Sequence, residues 1–254
     1  MSGPVLIATV AAAMFVGAVA QRVTGMGFAL VVSPFLILLL GPFDGVLLVN
    51  LASVVSALVV LATVWRQVDV RAYAWLSAAA VVGVIPGALL AATVEPALLE
   101  AIVGAVLLVS LTASLLIARL PLTLTGRTPR LAAGFASGLM NAGAGVGGPA
   151  VSAYGILSRW PHREFAATLQ PYFATVGLAS VIAKAVIVPG ALPDLGVIGW
   201  AAALIALLAG VGVGTLVAKR LPTRWARAAV IAIAFAGALV ALVTGAVHLL
   251  AGGA

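Results

Sequence analysis

The sequence predicts an all-α polytopic membrane protein made of two inverted repeats, each a glycine-broken helical hairpin, re-entrant or tight, followed by three transmembrane helices. The chain of 254 residues is 64% hydrophobic and 7% charged, against roughly 45–50% apolar and about 25% charged in soluble domains. Its apolar residues form eight blocks, at about 4–41, 45–64, 72–94, 97–118, 131–157, 166–188, 196–218 and 226–250. Two glycine stretches, 120 residues apart, interrupt blocks one and five.

So apolar a chain leaves no room for a soluble module. Residues 1–254 therefore read as one transmembrane domain, with repeat 1 at about 1–120 and repeat 2 at about 121–254. The net charge of +7 does not point to nucleic acid, because the basic residues lie in short gaps between apolar blocks, as the positive-inside rule expects. No cysteine is present, which excludes a disulfide framework, a thiolate nucleophile and a cysteine-held metal or iron–sulfur cluster. Met1 to Ala20 has the apolar run and Ala18-Val19-Ala20 ending of a signal peptide, but no Lys or Arg precedes the run. It reads as retained membrane structure, since its counterpart recurs at residues 131–145.

Six blocks fit one span each, close to the ~20 residues a helix needs to cross a core of ~30 Å. Block one, at about 38 residues, is too long for one straight span, and blocks one and five both break at glycines. Broken backbone at membrane depth is tolerated only where protein or a watery cavity covers it, so each break implies a lined cavity.

Loop charges orient the spans. Arg66 and Arg71 outnumber Asp69 in one gap, Arg119, Arg127 and Arg130 fill a second, and Lys219, Arg220, Arg224 and Arg227 a third. These gaps read as cytoplasmic. Asp44, Glu95 with Glu100, and Asp194 mark the opposite side. The gap after block five carries Arg159, His162, Arg163 and Glu164 and also reads as cytoplasmic. Block five then begins and ends on one side, so it is a hairpin, and its second arm from Pro149 to Leu157 is too short to span. The same logic puts a hairpin in block one that enters from outside. Each half crosses an odd number of times, which makes the repeats inverted. Phe15 and Phe135, Asp44 and Glu164, and Asn50 and Gln170 match at an offset of 120, and Asp69 with Asp194 and Trp75 with Trp200 at 125. Asp44 and Glu164 each open an apolar block, where a carboxylate suits a positive helix end as a structural cap, with carriage of a coupling proton as the alternative.

The glycine stretches are Gln21-Arg22-Val23-Thr24-Gly25-Met26-Gly27-Phe28 and Asn141-Ala142-Gly143-Ala144-Gly145-Val146-Gly147-Gly148-Pro149. If the hairpins face each other, their tips meet near the bilayer midplane. Glycine lets backbone approach a ligand, and free N–H groups at a helix start attract anions. The second arms begin near Phe28 and Gly148, so the N–H groups of Gly27, Phe28, Gly147 and Gly148 are the expected donors, with Gly25, Gly143 and Gly145 shaping the tips. Gly17, Gly83, Gly87, Gly104, Gly210 and Gly214 are read instead as close helix contacts.

Gln21, Asn50, Asn141 and Gln170 are amides in apolar surroundings, suited either to ligand contact or to bonding between helices. Arg22 sits at the first tip, where a buried guanidinium calls for an anion or carboxylate and so points to an anionic substrate; if the hairpin crosses fully, it is a loop charge. Lys184, near one end of block six, is expected to snorkel to the interface, with a role in gathering anions as the alternative. Thr24 and Tyr172 are candidate hydroxyl contacts, with Ser53 and Tyr154 beside them. His162 and His248 have no second ligand at helical spacing, so neither a metal nor another cofactor is expected.

The tips, with Gly17, Gln21, Gly25 and Gly27 in the first and Gly138 and the run Ala142 to Gly148 in the second, followed by Arg163 to Gln170, resemble the sulfite exporter TauE/SafE family, also called the 4-toluene sulfonate uptake permeases. Thr24 and Phe28 stand where the family's first motif is richer in glycine. The resemblance spans essentially the whole chain. It implies a carrier in the bacterial inner membrane for sulfur-containing or organic anions such as sulfite, thiosulfate, sulfonates or sulfoacetate.

The expected partners are thus a small anionic substrate, the lipid bilayer and a coupling ion, proton or sodium. No nucleotide-binding loop is present to couple ATP hydrolysis. An anion channel of the same architecture is the rival reading. A Ser/His hydrolase using Ser137 or Ser152 is the weaker one, because no carboxylate is placed to orient His162.

Overall fold

The computed structural model describes residues 3–25, 27–117, 122–220 and 223–252. Arg119 lies outside them, as do the side chains of Arg224 and Arg227. The described residues form ten α-helices and no strand. The first half comprises α1 (Gly3–Thr24), α2 (Phe28–Leu40), α3 (Pro42–Val64), α4 (Val70–Thr93) and α5 (Pro96–Ile117). The second comprises α6 (Arg127–Ala144), α7 (Gly148–Leu157), α8 (His162–Ile187), α9 (Gly196–Val217) and α10 (Thr223–Gly252).

Blocks one and five are broken as the glycines require, into α1–α2 and α6–α7. Seven helices are long and apolar enough to cross a membrane: α1, α3 with its following turn, α4, α5, α8, α9 and α10. The first hairpin is unequal, because α1, with 22 residues, reaches about 33 Å at 1.5 Å per residue, whereas α2 has 13. In the second hairpin the two ends meet, since Leu124 N–H donates to Leu157 O at 2.9 Å.

Packing pairs helices across the halves. α1 lies on α9 and α6 lies on α4, while α3 packs on α8 and α5 on α10. Exchanging the two halves turns the first of these pairs into the second and each of the last two into itself. Small residues make the approaches possible. A Cβ on Gly210 would lie 2.5 Å from Phe15 O in α1, and one on Gly83 would collide with Phe135 O in α6. Gly87 meets Leu139 O, Gly104 meets Leu242 N, and Gly214 meets Val19 Cα in the same way. Gly17 instead faces its own hairpin partner, at Val32 and Phe28. Fixed dispersion contacts between close backbones hold such helices together where lipid removes the hydrophobic drive.

Asp44 and Glu164 occupy the third positions of α3 and α8, behind the N-caps Gly41 and Pro161. Neither makes a side-chain cap bond, so their effect is on the helix dipole. Asp69 is a true N-cap, its carboxylate accepting from Ala72 N–H at 2.9 Å. The outward faces of α4, α5, α9 and α10 carry exposed Val82, Ile85, Val109, Leu116, Ile205, Leu208, Val240 and Val247. A surface this apolar is matched to lipid chains.

Candidate functional site

Both first arms end in the same way. Gly25, at φ +84°, donates its N–H to Gln21 O at 2.8 Å, and Gly145, at φ +73°, donates to Asn141 O at 2.9 Å. A left-handed residue after a helix needs glycine, because a Cβ there meets the backbone. The tips are also seated alike. A Cβ on Gly25 would lie 3.3 Å from Ala166 Cβ in α8, and one on Gly145 would lie 3.5 Å from Val46 Cγ2 in α3. Ala166 and Val46 stand 120 residues apart, as the two glycines do. Each half thus seats its tip on a helix of the other.

The second arms start at Phe28 and Gly148, behind Gly27 and Gly147, with Pro149 in the first turn. The first N–H groups of a helix have no partner within it, and no turn or loop bond among the described residues takes up those of Phe28, Gly147 or Gly148. Gly27, Phe28, Gly147 and Gly148 all line a cavity of about 40 Å³, shared with Gln21, Ser53, Asn141 and Phe173. Two hairpins, α3 and α8 therefore bring backbone donors, two amides, a hydroxyl and aromatic edges to one point.

Bonded amides support this point. Gln21 Nε2 donates to Gln170 Oε1 at 3.3 Å, and its Oε1 accepts from Ser56 Oγ at 2.8 Å. Asn141 Nδ2 donates to Asn50 Oδ1 at 2.8 Å and to Ser180 Oγ at 3.0 Å. Each first-arm amide therefore ties α3 to α8. Gln170 also reaches Gly25 O at 3.4 Å, and Asn50 Nδ2 reaches Asn141 O at 3.4 Å. Asn50 and Gln170 thus stand behind the cavity and hold the tips, while Gln21 and Asn141 face it.

The other expected residues lie elsewhere. Arg22 turns from the cavity, and its Nε donates to Thr215 Oγ1 at 2.9 Å on α9 while Nη1 reaches Thr63 Oγ1 at 3.4 Å. Residues 21 and 22 are about 100° apart around the helix, so when one faces inward its neighbour faces the flank. Thr24 is buried, donates to Ala20 O at 2.8 Å, and lines a larger neighbouring cavity of about 530 Å³ together with Ser152, Arg159, Trp160 and His162. Gly143 packs toward Gly87 O, at 3.7 Å from a Cβ. Gly145 lies against Ser33 Oγ, which donates to Ala144 O at 2.8 Å. Tyr172 is fully buried, and its hydroxyl faces that of Ser137 rather than the cavity. Tyr154 accepts from Arg130 Nε at 3.1 Å, away from the cavity.

Lys184 does not snorkel. It is 0% exposed, its Nζ has no hydrogen-bond partner and stands 4.8 Å from the centre of the Phe43 ring. Packing of α8 on α3 closes the way to the interface. Phe173, Ser56 and Ser180 were missed from sequence. The two serines follow the amides of α3 and α8 in sequence, a signal that an amide and a hydroxyl in one apolar helix could have raised. His248 Nδ1 stands 3.4 Å from Glu100 Oε2 between α10 and α5. Among the described residues no group of three or more His, Asp or Glu could hold a metal ion.

No curated protein and no solved structure matches the chain. The family model described as sulfite exporter TauE/SafE matches residues 9–249. With nearly the whole chain matched, an all-helical fold and seven helices able to cross a membrane, this is a multi-pass membrane protein that belongs to the sulfite exporter TauE/SafE family, a family of transporters.

Proposed function

We propose that the protein is a secondary transporter that moves a small sulfur-containing or organic anion, of the sulfite, thiosulfate, sulfonate or sulfoacetate type, across the bacterial inner membrane. The halves are inverted repeats, and the substrate binds where their hairpin tips meet. The observation that carries this reading is the matched pair of tips. Gly25 on Ala166 and Gly145 on Val46 repeat one geometry at an offset of 120 residues, around a cavity edged by helix-start N–H groups.

The chemistry fits an oxyanion. Backbone N–H groups at the starts of α2 and α7 point partial positive charge into the cavity, which spreads over several oxygens without a fixed counter-ion. Gln21 and Asn141 add side-chain donors, and Ser53 a hydroxyl. One water needs roughly 10–15 Å³ of such space, so about 40 Å³ suits a small anion without its hydration shell. Access alternates when the two halves rock about the tips, because each tip rides on a helix of the other half.

Purified protein in proteoliposomes tests this. Radiolabelled sulfite, thiosulfate or methanesulfonate should exchange across the vesicle wall in a saturable way, with counterflow on a trans load. Folded protein that moves none of them sinks the reading. Discrete single-channel currents without counterflow would mean a channel.

A further inference from the structure

We propose that Lys184 is the charge that receives the transported anion, at a second station one helical turn along α8 from the amide cavity. This inference rests on the transport reading and names a charged residue on the same path. Among the described Lys and Arg residues Lys184 alone is buried. Its Nζ has no hydrogen-bond acceptor and lies 4.8 Å from the centre of the Phe43 ring. A buried charge without a partner is costly, and a ring face offsets that in part only. A fold built for stability alone would place leucine or methionine here.

Position ties Lys184 to the cavity. Residues four apart share a helix face, so Lys184 follows Ser180 on the buried face of α8, about 6 Å along the axis. Ser180 Oγ accepts from Asn141 Nδ2 at 3.0 Å, and Asn141 lines the cavity. An anion leaving the hairpin tips in this direction meets the Lys184 amine as its next donor. Asp44, half-buried in the first turn of α3, adjoins Phe43, over whose ring the Lys184 Nζ lies. Asp44 and Lys184 form no ion pair, and Lys184 makes no hydrogen bond. Asp44 thus competes with the anion for Lys184 and favours its release. Arg22 is not available for this role, since Thr215 and Thr63 engage its guanidinium.

Counterflow of radiolabelled sulfite in proteoliposomes, with thermal unfolding of the same protein in detergent, tests the proposal. Lys184→Met should raise KM for sulfite about tenfold or more, the scale of one hydrogen bond to a charged group. Lys184→Arg should keep most of the affinity. Without ligand, Lys184→Met should unfold no earlier than wild type, because removing an unpaired buried charge does not destabilise, whereas a structural lysine would lower Tm. A KM within about twofold of wild type, or failure of both Lys184→Met and Lys184→Gln to fold, overturns the proposal. Wild-type protein that neither transports nor is stabilised by sulfite, thiosulfate or methanesulfonate refutes the transport reading as well. Active wild type matched by Lys184→Met refutes this inference alone.

Discussion

Asn141 donates to Asn50 at 2.8 Å across the α6–α3 contact, and Gln21 donates to Gln170 at 3.3 Å across α1–α8. The four residues are two pairs at an offset of 120, so one bond is the counterpart of the other. Asn50→Leu leaves Asn141 with an unmet donor in a buried site, a cost of about 1–3 kcal/mol. Adding Asn141→Leu removes both partners of that bond. The double variant should therefore lose less than the two single losses combined, with a coupling of about 0.5–1 kcal/mol, the scale of interhelical hydrogen bonds in membranes. Unfolding of the four proteins in detergent measures it, and strictly additive losses would remove the pairing.

Gly147 and Gly148 separate packing from ligand contact. A Cβ on Gly147 would come within 2.6 Å of Ser137 O and 3.1 Å of Asn141 Cβ, whereas one on Gly148 would meet Phe173 Cζ at 3.8 Å, an ordinary contact. Gly147→Ala should therefore lower Tm whatever the protein binds. Gly148→Ala should leave Tm unchanged or raise it, since alanine in a helix gains about 0.5–1 kcal/mol over glycine. If the N–H of Gly148 touches substrate, the same methyl raises KM for sulfite. Equal KM in Gly148→Ala and wild type would take the start of α7 out of the site.

Asp44 gives a readout opposite in sign to that of Lys184. Removing its charge leaves Lys184 to the anion alone, so Asp44→Asn should lower KM for sulfite by about threefold or more. Turnover should fall with it, because tighter binding slows release. A rise in KM with unchanged turnover would mean that Asp44 acts elsewhere.

Much of this arrangement was legible because glycine, proline and charge are local signals. The break before Phe28 and Gly148, the short arm from Pro149 to Leu157 and the shared ends of the second hairpin need no knowledge of packing. The burial of Lys184 was not legible. In a helix apolar on nearly every side, hydrophobic periodicity does not mark an inner face, so a lysine near its end looks the same whether it snorkels or packs inward. The partners of the amides were hidden for a related reason. The repeat matches Gln21 with Asn141, but bonding runs to Gln170 and Asn50, because each hairpin seats on the opposite half.

Arg22 offers the last test, of a contact that sequence placed at the ligand and the structure places at the flank. Its guanidinium joins α1 to Thr215 of α9 and to Thr63 of α3. Thr215 Oγ1 itself donates to Val211 O at 2.8 Å, so its lone pairs are free to accept from Arg22. Arg22→Gln should lower stability by about 1.5–3 kcal/mol, the range for hydrogen bonds to a charged group, and Thr215→Val should lose part of the same amount. The two losses should not add, because both remove one bond. KM for sulfite should stay near the wild-type value in either variant, since neither side chain borders the cavity. A KM raised by Arg22→Gln but not by Thr215→Val would bring the guanidinium back to the anion and assign the hydroxyl contacts to a resting state.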